Sequence, residues 1–75
     1  MKKETVHGYW VKFPQELYDA IRYLRQDLQY QEAKTLFESA RSRGEAQFED
    51  DMDRDYTLIY NRGEATFTLM RRQRE

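Results

Sequence analysis

The sequence contains no cysteine, one histidine, one proline and three glycines. Without cysteine there is no disulfide framework, no thiolate nucleophile and no cysteine-based zinc site. No apolar run approaches the ~20 residues that a membrane-spanning helix needs. The start, Met1-Lys2-Lys3, leads to Glu4 rather than to the apolar core of a signal peptide. We therefore expect a cytoplasmic protein with no membrane partner.

Motifs for catalysis and for metal binding are equally scarce. His7 has no Ser or Asp placed by sequence to form a catalytic dyad with it, and there is no glycine-rich phosphate loop. The alternating aspartates of residues 51–55 begin like a calcium loop. However, Tyr56 stands where Gly makes the sharp turn, and Arg62 where a bidentate Glu belongs. The sequence predicts no catalytic residue, no metal and no cofactor, which argues against an enzyme.

The charges are balanced overall but unevenly distributed. Thirteen basic and fourteen acidic side chains give a net charge of −1. Proteins that bind nucleic acid usually carry an excess of basic side chains instead. Six carboxylates lie within residues 45–55, and three arginines lie within residues 71–74. These arginines are suited to phosphate, since the guanidinium fork matches its oxygens. The acidic run is either a solvated turn or a surface that meets a basic partner or imitates nucleic-acid phosphates.

Aromatic residues supply much of the apolar surface that the small core can bury. The chain has six Tyr and four Phe in 75 residues, and a domain of this size has little apolar surface to spare. Six Tyr exceed what such a core hides while satisfying every hydroxyl, and partly exposed Tyr is enriched at protein interfaces. We therefore predict a non-enzymatic module that binds a protein partner through a surface of Tyr and carboxylate side chains. The candidate residues are Tyr18, Tyr23, Tyr30, Asp50, Asp51 and Asp53.

The clearest structural signal is a hairpin over residues 55–72. Apolar and polar residues alternate from Tyr56 to Asn61 and again from Ala65 to Met70, which is the period of a strand. A two-residue loop at Arg62-Gly63 pairs Tyr60 with Ala65, Leu58 with Phe67 and Tyr56 with Leu69. This register collects one apolar face and leaves a Thr-lined face for water. A longer loop that uses Asn61 is the alternative.

The remaining elements follow from periodicity. Residues 5–13 alternate as one strand, in which Gly8 marks either a bulge or a close approach of another backbone. Residues 46–52 alternate as a short strand. Between them, apolar residues at helical spacing form two stripes on different faces, within residues 14–29 and 33–40. A helical hairpin with a break near Gln29–Gln31 is favoured over one long helix, and Gly44 ends the helical segment. The prediction is a single α+β domain, residues 1–75, in the order β-α-α-β-β-β. Its small antiparallel sheet carries the helical hairpin on one face.

Short stretches of the sequence resemble the RelE/ParE family of small toxins. One is Phe13-Pro14-Gln15-Glu16 between a strand and a helical hairpin, and the others are residues 55–60 and the basic ending of residues 69–74. The resemblance implies messenger-RNA cleavage on the ribosome or gyrase inhibition, with an antitoxin as partner. It also implies an aromatic and basic site made of Tyr60, Arg71, Arg72 and Arg74. A third alternative is a structural homodimer that pairs through sheet edges or Tyr-bearing helix faces.

Overall fold

The computed structural model describes residues 1–72, which form five strands and two α-helices. The sheet order is β1-β2-β5-β4-β3; β2 and β5 run parallel, and the other neighbours run antiparallel. The predicted α+β class is confirmed, but the sheet is mixed rather than antiparallel. The elements are β1 (Lys2–Val6), β2 (Tyr9–Phe13), α1 (Tyr18–Arg22), α2 (Tyr30–Arg43), β3 (Glu45–Glu49), β4 (Asp55–Asn61) and β5 (Thr66–Arg71).

The predicted first strand is two strands joined by a tight turn. His7 and Gly8 both have positive φ, 50° and 88°, which is the backbone of the two-residue turn that matches the twist of a hairpin. Val6 therefore pairs with Tyr9 and shares its face of the sheet, whereas an uninterrupted strand would place them on opposite faces. Reading Gly8 as a bulge was wrong. The correct order is β-β-α-α-β-β-β.

The hairpin of β4 and β5 forms as predicted, with a different loop. Four residues, 62–65, connect the strands, and Ala65 has a φ of 53°. Tyr60 consequently pairs with Phe67, and Leu58 with Leu69, so the predicted register is wrong by two residues. A slip of two keeps every side chain on its face, because the strand period is two.

The helical segment is broken where the two stripes predicted a break. A 3₁₀ turn (Gln15–Leu17) leads into α1, which continues as a π-helical turn (Tyr23–Asp27). Leu28 and Gln29 are extended, with ψ of 131° and 152°, and separate this segment from α2. Gly44 ends α2 in the left-handed conformation, as predicted.

The core lies between the helices and one face of the sheet. Buried strand residues such as Val11, Leu58 and Phe67 meet buried helix residues such as Ile21 and Phe37. Burying a side chain of this size stabilises a fold by about 1.5–3 kcal/mol. The opposite face of the sheet carries no helix of residues 1–72, and we call it the open face.

Candidate protein-binding edge

Strand β3 forms one edge of the sheet, with its outer side facing a groove. Its register with β4 includes a bond from the Tyr60 N–H to the Gly44 carbonyl at 2.9 Å. Bonded pairs alternate along an antiparallel ladder, so the even-numbered residues of β3 bond to β4. Glu45 and Gln47 therefore direct their backbone N–H and C=O groups away from β4.

The groove beside β3 is closed on its other side by α2. Its volume is about 610 Å³. Residues spaced three or four apart along α2 face Glu45, Ala46 and Gln47 of the strand, because such residues lie on one side of a helix. Leu36 and Ala46 are half-buried and give the groove an apolar strip. The α2 residues are Glu32, Thr35, Leu36, Ser39 and Arg43.

Tyr23 continues the site toward the far end of β3. It belongs to the π-helical turn, and its ring lies parallel to that of Phe48 with the centroids 6.4 Å apart. Phe48 in turn stacks on buried Tyr56 at 5.3 Å. Tyr23 also lines a second groove, of about 180 Å³, together with Asp51 and Asp27. The edge of β3 thus leads from one groove to the other.

Carboxylates outnumber arginines in the lining of the two grooves, five (Asp19, Asp27, Glu32, Glu45 and Asp51) to three (Arg22, Arg43 and Arg54). Burial is the first cause that raises the pKa of Tyr23, and the carboxylates of Asp51, Glu32, Asp50 and Asp27 raise it further. Glu32 lines the larger groove, whereas Asp27 and Asp51 line the smaller one. Acidic side chains of both grooves therefore act on one phenol. A cationic group placed near Tyr23 would meet these carboxylates together with Arg22 and Arg54, which line the smaller groove.

Asp50 has a structural role that its sequence neighbours do not share. It is 5% exposed, and one carboxylate oxygen accepts the backbone N–H groups of Met52 and Arg54, each at 2.9 Å. The other oxygen accepts from the Arg54 guanidinium at 2.8 Å and from the Tyr56 hydroxyl at 3.3 Å. Burial by itself would raise the pKa of Asp50, but these hydrogen bonds outweigh it and lower the pKa. Asp50 therefore holds the β3–β4 loop together. The prediction that it lies on an exposed binding surface was wrong.

The other predicted partner residues are divided among separate places. Tyr18 is 40% exposed beside the ring of Phe13, and Tyr30 is 52% exposed in a T-shaped contact with the ring of His7. Both tyrosines thus contact the β1–β2 hairpin, whereas Tyr23 contacts β3. Asp51 and Asp53 are exposed in the β3–β4 loop. Tyr23 and Asp51 meet in one groove.

Three of the residues implied by the toxin resemblance, Tyr60, Arg71 and Arg72, lie in the described part of the chain and do not converge there. Tyr60 is half-buried, with its ring 5.0 Å from that of Phe67. Arg71 and Arg72 are exposed at the far end of β5, and four residues of strand separate Phe67 from Arg71 by roughly 13 Å. Arg74 lies outside the described residues.

Within residues 1–72, no group of three or more His, Cys, Asp or Glu side chains is arranged to hold a metal ion. No helix in that part of the chain has the length and apolar character required to cross a membrane. Comparison of the chain with protein-family models, with curated proteins and with solved structures gave no match.

Sequence reasoning did not select Leu36, Ala46 or Gln47. These residues line the groove only because β3 is at an edge of the sheet and α2 turns directly into it at Gly44. The available signal was the run Glu45-Ala46-Gln47-Phe48-Glu49, because a short strand with charged residues at alternate positions is typical of a sheet edge.

Proposed function

We propose that this chain is a non-enzymatic module that binds another protein by adding an extended, basic segment of that protein to β3. The observation that supports this proposal is the outward-facing backbone of Glu45 and Gln47 beside an open groove. In strand addition, main-chain hydrogen bonds supply affinity, and pockets for alternate side chains supply specificity. The outward backbone of β3 provides the hydrogen-bonding groups, and the groove along α2 provides the pockets.

The side chains of β3 define the segment that fits. Glu45, Gln47 and Glu49 lie on the open face, whereas Ala46 and Phe48 lie on the helix side. Residues directly opposite one another in neighbouring strands interact, and opposite charges stabilise the pair. The preferred five-residue segment therefore has basic residues at its two ends, apolar residues at its second and fourth positions, and any residue at its centre.

A second copy of β3 is a poor occupant of the same edge. Antiparallel pairing centred on Gln47 would place Glu45 opposite Glu49 at both ends of the ladder. Like charges that lie directly opposite are destabilising, and charged edge strands are a common means of preventing self-pairing. The pattern favours a foreign segment over self-association at this edge.

Tyr23 and Asp51 extend the site beyond the strand. Lys and Arg side chains are attracted to aromatic faces, and the carboxylates around Tyr23 raise the local concentration of cations. Exposed charges of this kind mainly accelerate association. The proposed site thus retains Tyr23 and Asp51 of the predicted partner surface, whereas Tyr18 and Tyr30 lie on the β1–β2 side.

A library of short random peptides displayed on phage tests the proposal directly. We expect selection on the protein to enrich segments with basic residues flanking two alternate apolar residues. Synthetic peptides of the enriched sequence are then measured by calorimetry against the parent, Gln47→Pro and Gln47→Ala. Proline removes the outward N–H and is tolerated on a sheet edge, so this variant should lose binding at least tenfold, by roughly 1.4 kcal/mol. Gln47→Ala keeps the N–H and should bind like the parent.

Amide shifts in nuclear magnetic resonance spectra locate the bound peptide. The largest changes should be those of Glu45, Gln47 and Leu36. Enriched peptides that bind Gln47→Pro as tightly as Gln47→Ala would contradict strand addition at β3, and so would a selection without the alternating pattern. Folding of both variants is checked by circular dichroism.

A further inference from the structure

The open face of the sheet exposes large apolar side chains in the middle of a polar surface. Trp10 on β2 is 48% exposed and Met70 on β5 is 40% exposed. Ile59 on β4 is half-buried on the same face. By the strand register, Trp10 and Met70 lie four residues, roughly 13 Å, apart along the sheet, with Lys12 and Thr68 between them. The three apolar side chains are therefore separate contact points rather than one patch.

One row of side chains crosses this face from edge to edge. Lys3 pairs with Lys12, Lys12 with Thr68, Thr68 with Ile59, and Ile59 with Glu45. The row therefore has lysines on β1 and β2, uncharged residues on β5 and β4, and Glu45 on β3. The Lys12 ammonium is paired with the Glu64 carboxylate at 2.6 Å, so Lys3 supplies the positive end of the row. The open face is positive toward one edge and negative toward the other.

We infer that the open face binds the open face of a second copy of this chain, with a two-fold axis parallel to the strands. β5 is the central strand, so an axis above it places β1 of one copy over β3 of the other. Lys3 then faces Glu45 of the second copy, and the contact occurs twice because a two-fold interface is self-complementary. A two-fold axis across the strands would instead place Lys3 over Lys3.

The same axis brings the two copies of β5, and with them the two Met70 side chains, face to face. Thr68 and Met70 of β5 face their own counterparts, and Lys12 lies over Ile59 of the second copy. Sheets that pack face to face keep their strands within about 30° of each other, which this axis allows. Trp10 on β2 lies over β4 of the second copy and loses its exposure.

The size of the face sets the expected strength. Five strands spaced by about 4.8 Å give a width of about 24 Å, and strands of five to seven residues give a length of about 17–23 Å. The contact is therefore smaller than the roughly 800 Å² per partner of a standard interface. We expect a reversible dimer with a Kd of roughly 10–100 µM, on the scale of a weak interface.

Sedimentation velocity from about 1 µM to about 1 mM spans the expected transition. The parent should convert from monomer to dimer over this range. Met70→Lys places two like charges near the axis and should raise the Kd at least tenfold. Met52→Lys is the matched control, because Met52 is 68% exposed in the β3–β4 loop; it should leave the Kd unchanged.

Charge exchange tests the orientation of the two copies. Lys3→Glu and Glu45→Lys should each weaken self-association by about threefold to tenfold, since each brings like charges together. An equimolar mixture of the two variants should associate as well as the parent, because positions 3 and 45 then carry opposite charges at both contacts between the different chains.

A parent that remains monomeric to about 1 mM would overturn the dimer. Equal effects of Met70→Lys and Met52→Lys would overturn the use of the open face. The proposed axis would be overturned if Lys3→Glu and Glu45→Lys each weakened self-association but their equimolar mixture did not associate as well as the parent.

Discussion

On the helix-covered face of the sheet, Leu58, Phe67 and Leu69 are at most 2% exposed, whereas Trp10 and Met70 on the open face are 48% and 40% exposed. Both sets are large apolar side chains on strands of the same sheet. Leu69 and Met70 are even neighbours in sequence, and the strand period alone sends them to opposite faces. Hydrophobicity therefore does not determine which apolar residues enter the core.

The difference comes from where the chain between β2 and β3 lies. Its helices rest on one face and supply Ile21, Leu24 and Phe37 to the core, while residues 1–72 place no helix over the other face. The covered face accordingly stabilises the fold. The open face and the β3 edge remain uncovered by helices of residues 1–72. Matched substitutions on the two faces test whether only the covered face stabilises the fold.

The largest effect is expected on the covered face. Leu58→Ala and Phe67→Ala each leave a cavity and should destabilise the protein by roughly 2–5 kcal/mol, a large part of the stability of a small domain. Ile59→Ala, one residue away on the open face, should cost less than about 1 kcal/mol at dilute concentration. Urea denaturation followed by circular dichroism measures both. Equal losses for Leu58→Ala and Ile59→Ala would contradict the assignment of the faces.

The sequence predicted the faces of β4 and β5 correctly but not their register. Alternation defines the face of each residue, and a slip of two residues leaves it unchanged, so periodicity could not distinguish the two pairings. The observed pairing goes with the four-residue loop, in which Ala65 has the left-handed conformation. Gly8 was similarly ambiguous, because glycine within an alternating run is compatible with a bulge and with a turn.

The acidic run provides a second comparison, between buried Asp50 and exposed Asp51. Asp50→Asn removes the charge that binds Arg54 and should destabilise the fold by about 1–3 kcal/mol at neutral pH, the usual range for hydrogen bonds to charged groups. Asp51→Asn is the matched control and should change stability by less than about 0.5 kcal/mol. Thermal and urea unfolding of both variants provide the measurement.

The pH dependence of stability gives a further test of the role of Asp50. The pKa of Asp50 is lower in the folded protein than its ordinary value, which is about 3.9 in unfolded chains. Its contribution is therefore fully present above that value and is lost as the pH falls through the lower, folded pKa. The stability gap between the parent and Asp50→Asn should be constant above about pH 5 and should narrow below about pH 4. A gap that widens on acidification would contradict the lowered pKa.

The sequence could not separate Asp50 from its neighbours, because the aspartates of residues 50–55 differ in burial rather than in type. The alternating charges of Glu45–Glu49 are typical of an edge strand, but the sequence could not give the order of the strands. That order depends on the parallel pairing of Val11 with Phe67, which joins residues far apart in the chain and leaves no local signal. The predicted Tyr surface was divided for the same reason, since long-range packing carried Tyr23 to β3 and Tyr30 to the β1–β2 turn.

Apart from the control substitutions, the smallest effect on the isolated chain is expected on the open face, at Trp10. Its ring meets the Lys3 ammonium at 4.9 Å from the centroid, an exposed contact that contributes about 0.5–1 kcal/mol. Trp10→Ala should therefore cost no more than about 1 kcal/mol at ~1 µM protein, where the monomer dominates. At ~1 mM the parent should gain stability by mass action and the variant should not, because the proposed dimer buries Trp10. Circular dichroism at both concentrations measures the difference, since the variant has no Trp for fluorescence. A parent melting temperature that does not depend on concentration, or a variant that shows the same dependence as the parent, would mean that the open face contributes to stability only within one chain.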